Sequence, residues 1–385
     1  MNAGESIKRA GRYIQQSTGY RAFYPEKLPP NPPVRIEGKL QSLLSGADQA
    51  LGRLDGSIST LPNPDLFVFM YVRKEAVLSS QIEGTQSSLQ DVLAAEAKIL
   101  NPKQPSDVRE VLNYIDALRY GLERLHTLPV SVRLIREIHQ RLLQDVRGSH
   151  LAPGEIRKSQ NWIGPAGCTL NEASFVPPPP EYVQECLFDM EKFIYQDQSL
   201  PLLVKIGLVH AQFEAIHPFL DGNGRIGRLL IIFLLCEAGV LQKPVLYLSH
   251  YFKQHRQQYY DYLQVIRDRG DWETWLGFFL KGIEETSQQA AVTARLVLRL
   301  REDHRNLVNR YMGYATANAQ RVLEIMYERP ILSVKDIVKI TGTSYTAANR
   351  LALRMEKLKL FIEMTGQARN RKFLYEPYVR LFDDV

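Results

Sequence analysis

Cysteine is scarce in this sequence of 385 residues, which has three: Cys168, Cys186 and Cys236. Their odd number and wide spacing fit neither a disulfide framework nor a thiolate metal site. Long apolar runs are also missing, since the longest, Leu229 to Cys236, is far shorter than the roughly 20 residues that a membrane helix needs. The basic residues Lys8 and Arg9 are not followed by the apolar stretch of a secretion signal. We therefore predict a protein without a membrane span in a reducing, cytoplasmic compartment.

The charge of the chain is unevenly distributed. Lys and Arg number 48 against 42 Asp and Glu, which gives a net charge of +6. Residues 291–385 hold 17 basic and 10 acidic side chains, a net charge of +7, whereas residues 1–290 hold 31 and 32, a net charge of −1. A basic terminal segment is typical of nucleic-acid binding, because Lys and Arg release counterions from phosphate. A solvated basic surface without such a partner is the alternative.

The apolar pattern predicts a mainly α protein. With 45% apolar and 23% charged residues the composition is that of an ordinary globular chain. Helical periodicity predicts helices over residues 39–54, 64–80, 86–98, 106–125, 131–145, 181–195, 201–216, 225–238, 252–267 and 272–310. Before them, proline-crowded residues 20–35 predict an extended strap. Within the helical body, Arg157 to Pro180 is a non-helical insertion, in which residues 161–163 and 174–176 could pair as a hairpin.

A short loop between two apolar helices holds the residues best suited to chemistry. His217-Pro218 ends the first helix, because a residue before proline is disfavoured in the α region. Gly222 and Gly224 can adopt positive φ and turn backbone N–H groups toward one point at the start of the second helix. Such a loop predicts an anion-binding nest.

The charged residues of this loop indicate a polyphosphate ligand. Arg225 and Arg228 offer two guanidinium groups beside the nest, which suit several phosphates better than one carboxylate. Asp221 has the wrong sign for phosphate unless Mg²⁺ bridges the two. His217, with an ordinary imidazole pKa near 6.5, can accept a proton from a hydroxyl that attacks phosphorus.

The string HPFLDGNGRIGR, His217 to Arg228, resembles the signature of the Fic family, HxFx(D/E)GNGRxxR, at every defined position. The resemblance implies a Fic helical core that transfers AMP from ATP to a Ser, Thr or Tyr hydroxyl of a target protein, a reaction called AMPylation. It implies His217 as general base, Asp221 as Mg²⁺ ligand, Arg225 on the leaving phosphates and Arg228 on the γ-phosphate. It also implies a nucleotide-binding set that includes Gly222, Asn223, Gly224 and Gly227.

The resemblance extends beyond this motif. Arg157 to Pro180 is similar to the family's flap, a β-hairpin that aligns a target segment by strand addition. Tyr259 and Tyr260 are similar to a tyrosine pair that flanks the nucleotide base, although ordinary helix packing also explains them. Arg267 departs from the asparagine that some animal members have near the ribose, so the sugar contacts stay open.

A second motif lies upstream. Ser79-Ser80-Gln81-Ile82-Glu83-Gly84 resembles the inhibitory motif (S/T)xxxE(G/N) of members with an N-terminal inhibitory helix. Taken alone it would be a helix end capped by Gly84. Together with the downstream signature it implies autoinhibition, because a Glu83 carboxylate on Arg228 would occupy the place of the γ-phosphate.

The last part of the chain resembles a winged helix-turn-helix. Helices are predicted over residues 317–328, 333–340 and 344–359, followed by β-prone segments 360–364 and 372–375. In that fold the third helix enters the DNA major groove, and wing residues face phosphate. The groove candidates are Ser344, Tyr345, Asn349 and Arg350, and the wing candidates are Arg369, Arg371 and Lys372. Winged helices also dock proteins or form dimers.

The sequence thus predicts three regions. Residues 1–105 carry the inhibitory motif, residues 106–290 form the catalytic core, and residues 291–385 form a linker helix and the winged helix-turn-helix. The principal hypothesis is an autoinhibited protein adenylyltransferase that uses ATP and Mg²⁺. The alternatives are a DNA-binding regulator whose pocket senses ATP and an enzyme that removes AMP. A homodimer is compatible with this architecture.

Overall fold

A computed structural model describes residues 9–59, 64–99, 107–165, 167–196 and 199–383. Its helices are α1 Lys39–Ser59, α2 Pro64–Ile82, α3 Leu89–Glu96, α4 Val108–Arg124, α5 Val132–Leu142, α6 Pro180–Gln196, α7 Leu202–Ile216, α8 Asn223–Glu237, α9 Leu248–Gln254, α10 Arg256–Arg269, α11 Trp272–Tyr311, α12 Thr316–Glu328, α13 Val334–Thr341, α14 Tyr345–Lys357 and α15 Glu376–Asp383. The prediction of a mainly α protein is confirmed. The expected break at residues 62–64 lies mostly outside the described residues.

Helices α7 and α8 form the centre of the core. Their side chains are apolar on nearly every face, and most of them are buried. The 40-residue helix α11 packs along α1 and against α7, where the Trp275 indole Nε1 donates to the Gly207 carbonyl at 2.9 Å. Helices that are apolar all round are stable only inside such a layer of other helices. The loop between α7 and α8 is therefore held by two buried elements.

The N-terminal segment contains a hairpin that was not predicted. Strands β1 Gly11–Gln15 and β2 Arg21–Pro25 pair antiparallel. Strand β2 is extended, as expected of residues 20–35, and β1 precedes that segment. The Phe23 N–H also donates to the Val176 carbonyl at 2.9 Å, which ties the hairpin to the 157–180 insertion. The prolines that predicted a strap begin at the end of β2, so they follow the hairpin rather than prevent it.

The predicted helix 252–267 is also wrong in one respect. It is two helices, α9 and α10, separated at His255, which has φ −109° and ψ 35°. Aromatic contacts stabilise this bend, since the rings of Tyr251 and Phe278 lie 4.5 Å and 6.3 Å from the His255 ring. A tertiary contact of this kind overrides local helix preference.

The C-terminal region has the predicted helices α12, α13 and α14 and three short strands. These are β3 Ile331–Ser333, β4 Ile362–Glu363 and β5 Lys372–Leu374, in an antiparallel sheet of order β3-β5-β4. Strand β3 and helix α15 were not predicted. Helix α15 packs on α2, where the Phe382 ring contacts Phe67 and Tyr71 and the Lys74 Nζ donates to the Phe382 carbonyl.

Lys372 does not face outward as the wing prediction required. Its Nζ donates to the backbone carbonyls of Ala97 and Lys98, the latter at 2.8 Å, just beyond α3. The lysine charge satisfies carbonyl groups of the N-terminal region, so this side chain is already engaged within the molecule. Among the described helices, we find none with the length and apolarity to cross a bilayer.

A matched pair of glycines tests the packing of this core. A Cβ on Gly121 of α4 would lie 2.3 Å from the buried Phe233 ring of α8, whereas a Cβ on Gly52 of α1 would meet no atom within 4 Å. We expect Gly121→Ala to destabilise the protein by about 1–3 kcal/mol through overpacking. Gly52→Ala should instead stabilise it by up to about 1 kcal/mol. Urea unfolding midpoints measure both, and equal midpoints for the two variants would contradict the packing described.

Candidate active site

The loop from His217 to Gly222 is stabilised by the side chain of Asn223, the residue that follows it. His217 ends α7 in the left-handed conformation, with φ 50° and ψ 61°. Gly222, with φ 77°, precedes α8. The Asn223 side chain is 2% exposed and bonds Phe219 twice, accepting from its N–H at 2.9 Å and donating to its carbonyl at 2.8 Å. Asn223 therefore shapes the loop, and its side chain is not directed at a ligand.

His139 of α5 holds the loop from the other side and was not predicted. Its Nδ1 accepts from the Gly154 N–H at 2.8 Å, so its Nε2 carries the proton and donates to the Asp221 carbonyl at 3.0 Å. The ring stacks on Phe219 with centroids 3.7 Å apart. Burial lowers the pKa of His139 to about 4, which keeps it neutral in this role at pH 7. No local sequence pattern identifies a histidine 78 positions before the motif it supports.

Arg225 has a buried partner that the sequence did not reveal. The arginine is 1% exposed, and its Nη1 donates to Glu110 of α4 at 3.1 Å. Its Nη2 lies 3.6 Å from the Asp221 carboxylate. The side chain predicted to bind leaving phosphates thus lies beside the loop, held by two carboxylates.

The predicted contact between Glu83 and Arg228 is present. Arg228 is 2% exposed, and its Nη2 donates to the Glu83 carboxylate at 2.7 Å. Its Nε donates to the Ser79 hydroxyl at 2.8 Å and its Nη2 to the Ser79 carbonyl at 3.0 Å. Burial raises the pKa of Glu83, but the Arg228 charge outweighs burial and the pKa is lowered, so this carboxyl is ionised at pH 7.

Glu83 also fills the start of α8. A Cβ on Gly224 would lie 2.3 Å from the Glu83 Oε1, so only glycine leaves room for the carboxylate at this position. The first N–H groups of a helix have no intrahelical acceptor and attract anions. The Glu83 carboxylate therefore lies against the first turn of α8, next to Arg228.

His217 differs electrostatically from the expected imidazole. Burial lowers the pKa of His217 to about 3, and the positive charges of Arg267 and Arg157 add to this effect. Its Nδ1 is buried without a hydrogen-bond partner among the described residues. The ring is therefore neutral throughout the physiological range.

Gly227 leaves space for the Glu214 side chain of α7. A Cβ there would lie 2.5 Å from the Glu214 Oε1. Glu214 is 6% exposed, and burial raises the pKa of this carboxyl to about 7.

The tyrosine pair is divided between core and surface. Tyr259 is 1% exposed and its hydroxyl bonds the His210 Nε2 at 2.9 Å, whereas Tyr260 is 38% exposed. Their ring centroids are 5.2 Å apart. Arg267 is buried, with its guanidinium 3.6 Å from the centre of the Phe175 ring. Of the predicted pair, Tyr260 offers an exposed ring.

Asp221 lies at the opening of the loop with its side chain 30% exposed. Its Oδ1 accepts from the Gly222 N–H at 2.6 Å. Within the described ranges, no group of three or more His, Cys, Asp or Glu side chains could hold a metal ion. The role of Asp221 as a Mg²⁺ ligand stays a prediction from the sequence.

The predicted hairpin pairing in the insertion is present at one point. Ile163 and Phe175 form an antiparallel bridge, with N–H to carbonyl distances of 2.8 Å and 3.0 Å in the two directions. Trp162 and Ile163 of this insertion are 43% and 37% exposed. The hairpin therefore presents apolar side chains to the outside.

Two family models match the chain. Residues 41–123 match the Fic/DOC family N-terminal model, and residues 129–235 match the Fic/DOC family model. The chain is therefore similar to both Fic/DOC models over these residues. The second match includes the whole loop from His217 to Gly222, and the first includes Glu83.

Curated relatives agree with this assignment. A protein adenylyltransferase Fic of Aedes aegypti is 31% identical over 211 residues, which are 52% of this chain and 37% of that protein. One of Drosophila yakuba is 28% identical over 262 residues, 65% of this chain and 47% of that protein. The chain spans less than half the length of these relatives. A Fic family protein from Desulfovibrio desulfuricans G20 has the same fold, with a TM-score of 0.59, 18% identity, and coverage of 89% of this chain and 97% of that one.

The protonation state of His217 can be tested directly. Its lowered pKa means that the folded ring stays neutral above about pH 4, whereas an unfolded histidine titrates near 6.5. We expect its ring proton NMR signals, assigned by comparison with His217→Ala, to be constant from pH 5 to pH 8. In urea the same signals should titrate with a midpoint near 6.5. A midpoint near 6.5 in the folded protein would contradict the burial described.

Proposed function

We propose that this chain is an autoinhibited protein adenylyltransferase, a nucleotidyltransferase that moves AMP from ATP to a Ser, Thr or Tyr hydroxyl of a target protein. The observation that carries the proposal is the Glu83 carboxylate seated on Arg228 at 2.7 Å, in the anion site at the start of α8. A site that accepts a carboxylate between an arginine and a helix N-terminus suits a phosphate equally well. The match to the Fic/DOC family and the names of the curated relatives support the same activity.

In the proposed reaction His217 is the general base. The target oxygen attacks the α-phosphorus and forms a new P–O bond, while the bond from that phosphorus to the oxygen bridging to the β-phosphorus breaks. Pyrophosphate leaves, and the hydroxyl proton moves to the His217 ring. Because the ring is neutral at pH 7, its lone pair is available without prior deprotonation.

The loop residues would hold the phosphates. The N–H groups at the start of α8, Gly222 to Gly224, would face the α- and β-phosphates, with Arg225 on those that leave and Arg228 on the γ-phosphate. Asp221, partly exposed at the opening, fits a Mg²⁺ ion whose other ligands are phosphate oxygens and water. When bound, that ion would neutralise phosphate charge. Tyr260, and Tyr259 behind it, would border the nucleotide base.

Glu83 would inhibit by occupation and by charge. Its carboxylate pairs with the Arg228 guanidinium and fills the space next to Gly224, so a γ-phosphate cannot lie there at the same time. A triphosphate would then bind in a pose that does not favour in-line attack. Glu83 directly follows the last residue of α2, and Gly84, with φ 99°, ends the turn after it. The end of α2 thus places the carboxylate at Arg228.

Removal of Glu83 tests the proposal. We expect Glu83→Gly, incubated with Mg²⁺ and ATP labelled at the α-phosphate, to incorporate AMP into itself or lysate proteins at least about 10-fold faster, because Arg228 is freed. Glu83→Gln, which keeps the length and loses the charge, should fall between the two. Mass spectrometry should show a covalent gain of AMP.

The matched control is the double variant Glu83→Gly with His217→Ala. It should bind ATP with the affinity of Glu83→Gly, measured by calorimetry, and transfer no AMP. Transfer at an undiminished rate would remove His217 as the base. If Glu83→Gly binds ATP and modifies nothing, the ATP-sensing regulator is favoured instead, and loss of AMP from a premodified protein would favour the reverse reaction.

The C-terminal region supports a second, separate proposal, that residues 316–383 form a winged helix-turn-helix that binds DNA. Helix α14 begins with Ser344 as its N-cap, and Tyr345 and Arg350 are exposed on it. Arg371 bonds Asn349 of that helix, and Arg369 is exposed beside it. These side chains and the charge of +7 over residues 291–385 favour phosphate contacts. The homodimer and the cytoplasmic location stay predictions from the sequence.

DNA binding is tested by a duplex mobility shift at several salt concentrations. We expect a shift that weakens with salt, and the double variant Arg350→Ala with Arg369→Ala should lower the slope of log affinity against log salt by about 2. Arg299→Ala, an exposed arginine on α11, is the control and should leave the slope unchanged. No shift at low salt would exclude DNA and leave protein docking.

A further inference from the structure

Arg157 is a buried arginine that none of the predicted roles includes. It is 3% exposed, and it lies at the first root of the 157–180 insertion. Its Nε donates to the His217 carbonyl at 2.9 Å, and its Nη2 donates to the Ile216 carbonyl at 3.4 Å and to the Pro178 carbonyl. Its backbone N–H donates to the Pro218 carbonyl at 3.0 Å. The residue thus contacts both the catalytic loop and the second root of the insertion.

Its acceptors are all backbone carbonyls. Nη1 adds a fourth, Ser159, at 3.4 Å, and among the described residues no carboxylate forms an ion pair with Arg157. A buried charge without a partner is costly, so the carbonyl dipoles must offset it together. Two of these carbonyls, Ile216 and His217, end α7, where a helix leaves its last carbonyls without acceptors of its own and attracts a cation.

The backbone of His217 depends on such support. Its φ of 50° is in the left-handed region, which disfavours residues with a Cβ by roughly 1–2 kcal/mol. The turn directs the His217 carbonyl to Arg157, and Asn161 of the insertion donates to the same carbonyl at 3.3 Å and to the Phe219 carbonyl at 2.7 Å. Both donors to His217 therefore come from the insertion.

We propose that Arg157 is a positioning residue that fixes the hairpin of residues 157–180 to the backbone of His217. The inference rests on the proposed function and deepens it. A target segment aligned on this hairpin would then have its hydroxyl at a set distance from the imidazole, because one guanidinium connects both hairpin roots to the base. A lysine cannot replace it, since an ammonium on a single stem cannot reach carbonyls on three sides in one plane.

The test uses the full chain in the Glu83→Gly background, with MgATP as the nucleotide and the chain itself as acceptor. We expect Arg157→Lys and Arg157→Gln to lower the rate of AMP incorporation by about 10- to 100-fold, since a displacement of about 1 Å at a reacting group has an effect of this size. The calorimetric Kd and the KM for MgATP should stay within about twofold. A change in kcat without a change in KM separates lost positioning from a damaged nucleotide site.

Arg136→Lys is the matched control. Arg136 donates to the Gly154 carbonyl at 2.8 Å and pairs with Glu155, so it holds the chain just before the insertion without contacting His217. Its rate should stay within about twofold of the parent. If Glu83→Gly labels and the Arg157 variants label at the same rate, the inference is overturned while the proposed function stands. If Glu83→Gly itself labels nothing, the proposed function fails, and the inference fails with it.

The stability of each variant is measured as well. Thermal unfolding of each variant shows whether the buried substitution is tolerated. Should both Arg157 variants unfold, Asn161→Ala removes the second donor to the His217 carbonyl and should lower the rate with unchanged ATP affinity. An Asn161→Ala rate equal to that of the parent would then overturn the proposal.

Discussion

The guanidinium of Arg228 is a buried charge that joins the two regions matched by the family models. It belongs to α8, a buried apolar helix of the core, and it is satisfied by Ser79 and Glu83 at the end of α2. A charge buried this deeply requires an anion or several dipoles, so whatever occupies the site must supply them. In the structure the N-terminal domain does so. Under the proposed function, a phosphate would replace the carboxylate as the anionic partner of Arg228.

Much of this site could be predicted from sequence because its parts are local. His217, Asp221, the glycines, Arg225 and Arg228 occupy twelve consecutive positions, and a break between two apolar helices places them on one loop. The Glu83 contact spans 145 positions, and it was predicted through family resemblance rather than through any periodicity. The hairpin at residues 163 and 175 was predicted from turn residues and β-prone pieces, and it pairs at the expected place. Most helices could be predicted because their apolar periodicity is strong, whereas α15 and the division between α9 and α10 could not.

The remainder could not be predicted because it depends on distant contacts. Glu110, His139 and Arg157 each hold the loop by one or more bonds from another element, and nothing in their own neighbourhoods distinguishes them from surface residues. The lowered pKa of His217 has the same origin, since burial and two remote arginines produce it. The prediction placed the Lys372 side chain on the outside because of its charge alone. In the structure it donates to two backbone carbonyls that lie 275 and 274 positions earlier in the sequence. Local sequence patterns specify helices and strands, whereas tertiary packing determines which polar side chains are hydrogen-bonded within the protein.

Helix α11 connects the core to the C-terminal region. It runs without interruption for 40 residues, contains no proline, and is therefore about 60 Å long at 1.5 Å per residue. Its first half packs on α1 and α7, and its second half contacts α12 and α15. The core and the C-terminal region therefore share one continuous helix instead of a linker. Since α12 and α15 also pack on α2, the helix that Glu83 directly follows, the C-terminal region contacts the N-terminal region by a second route.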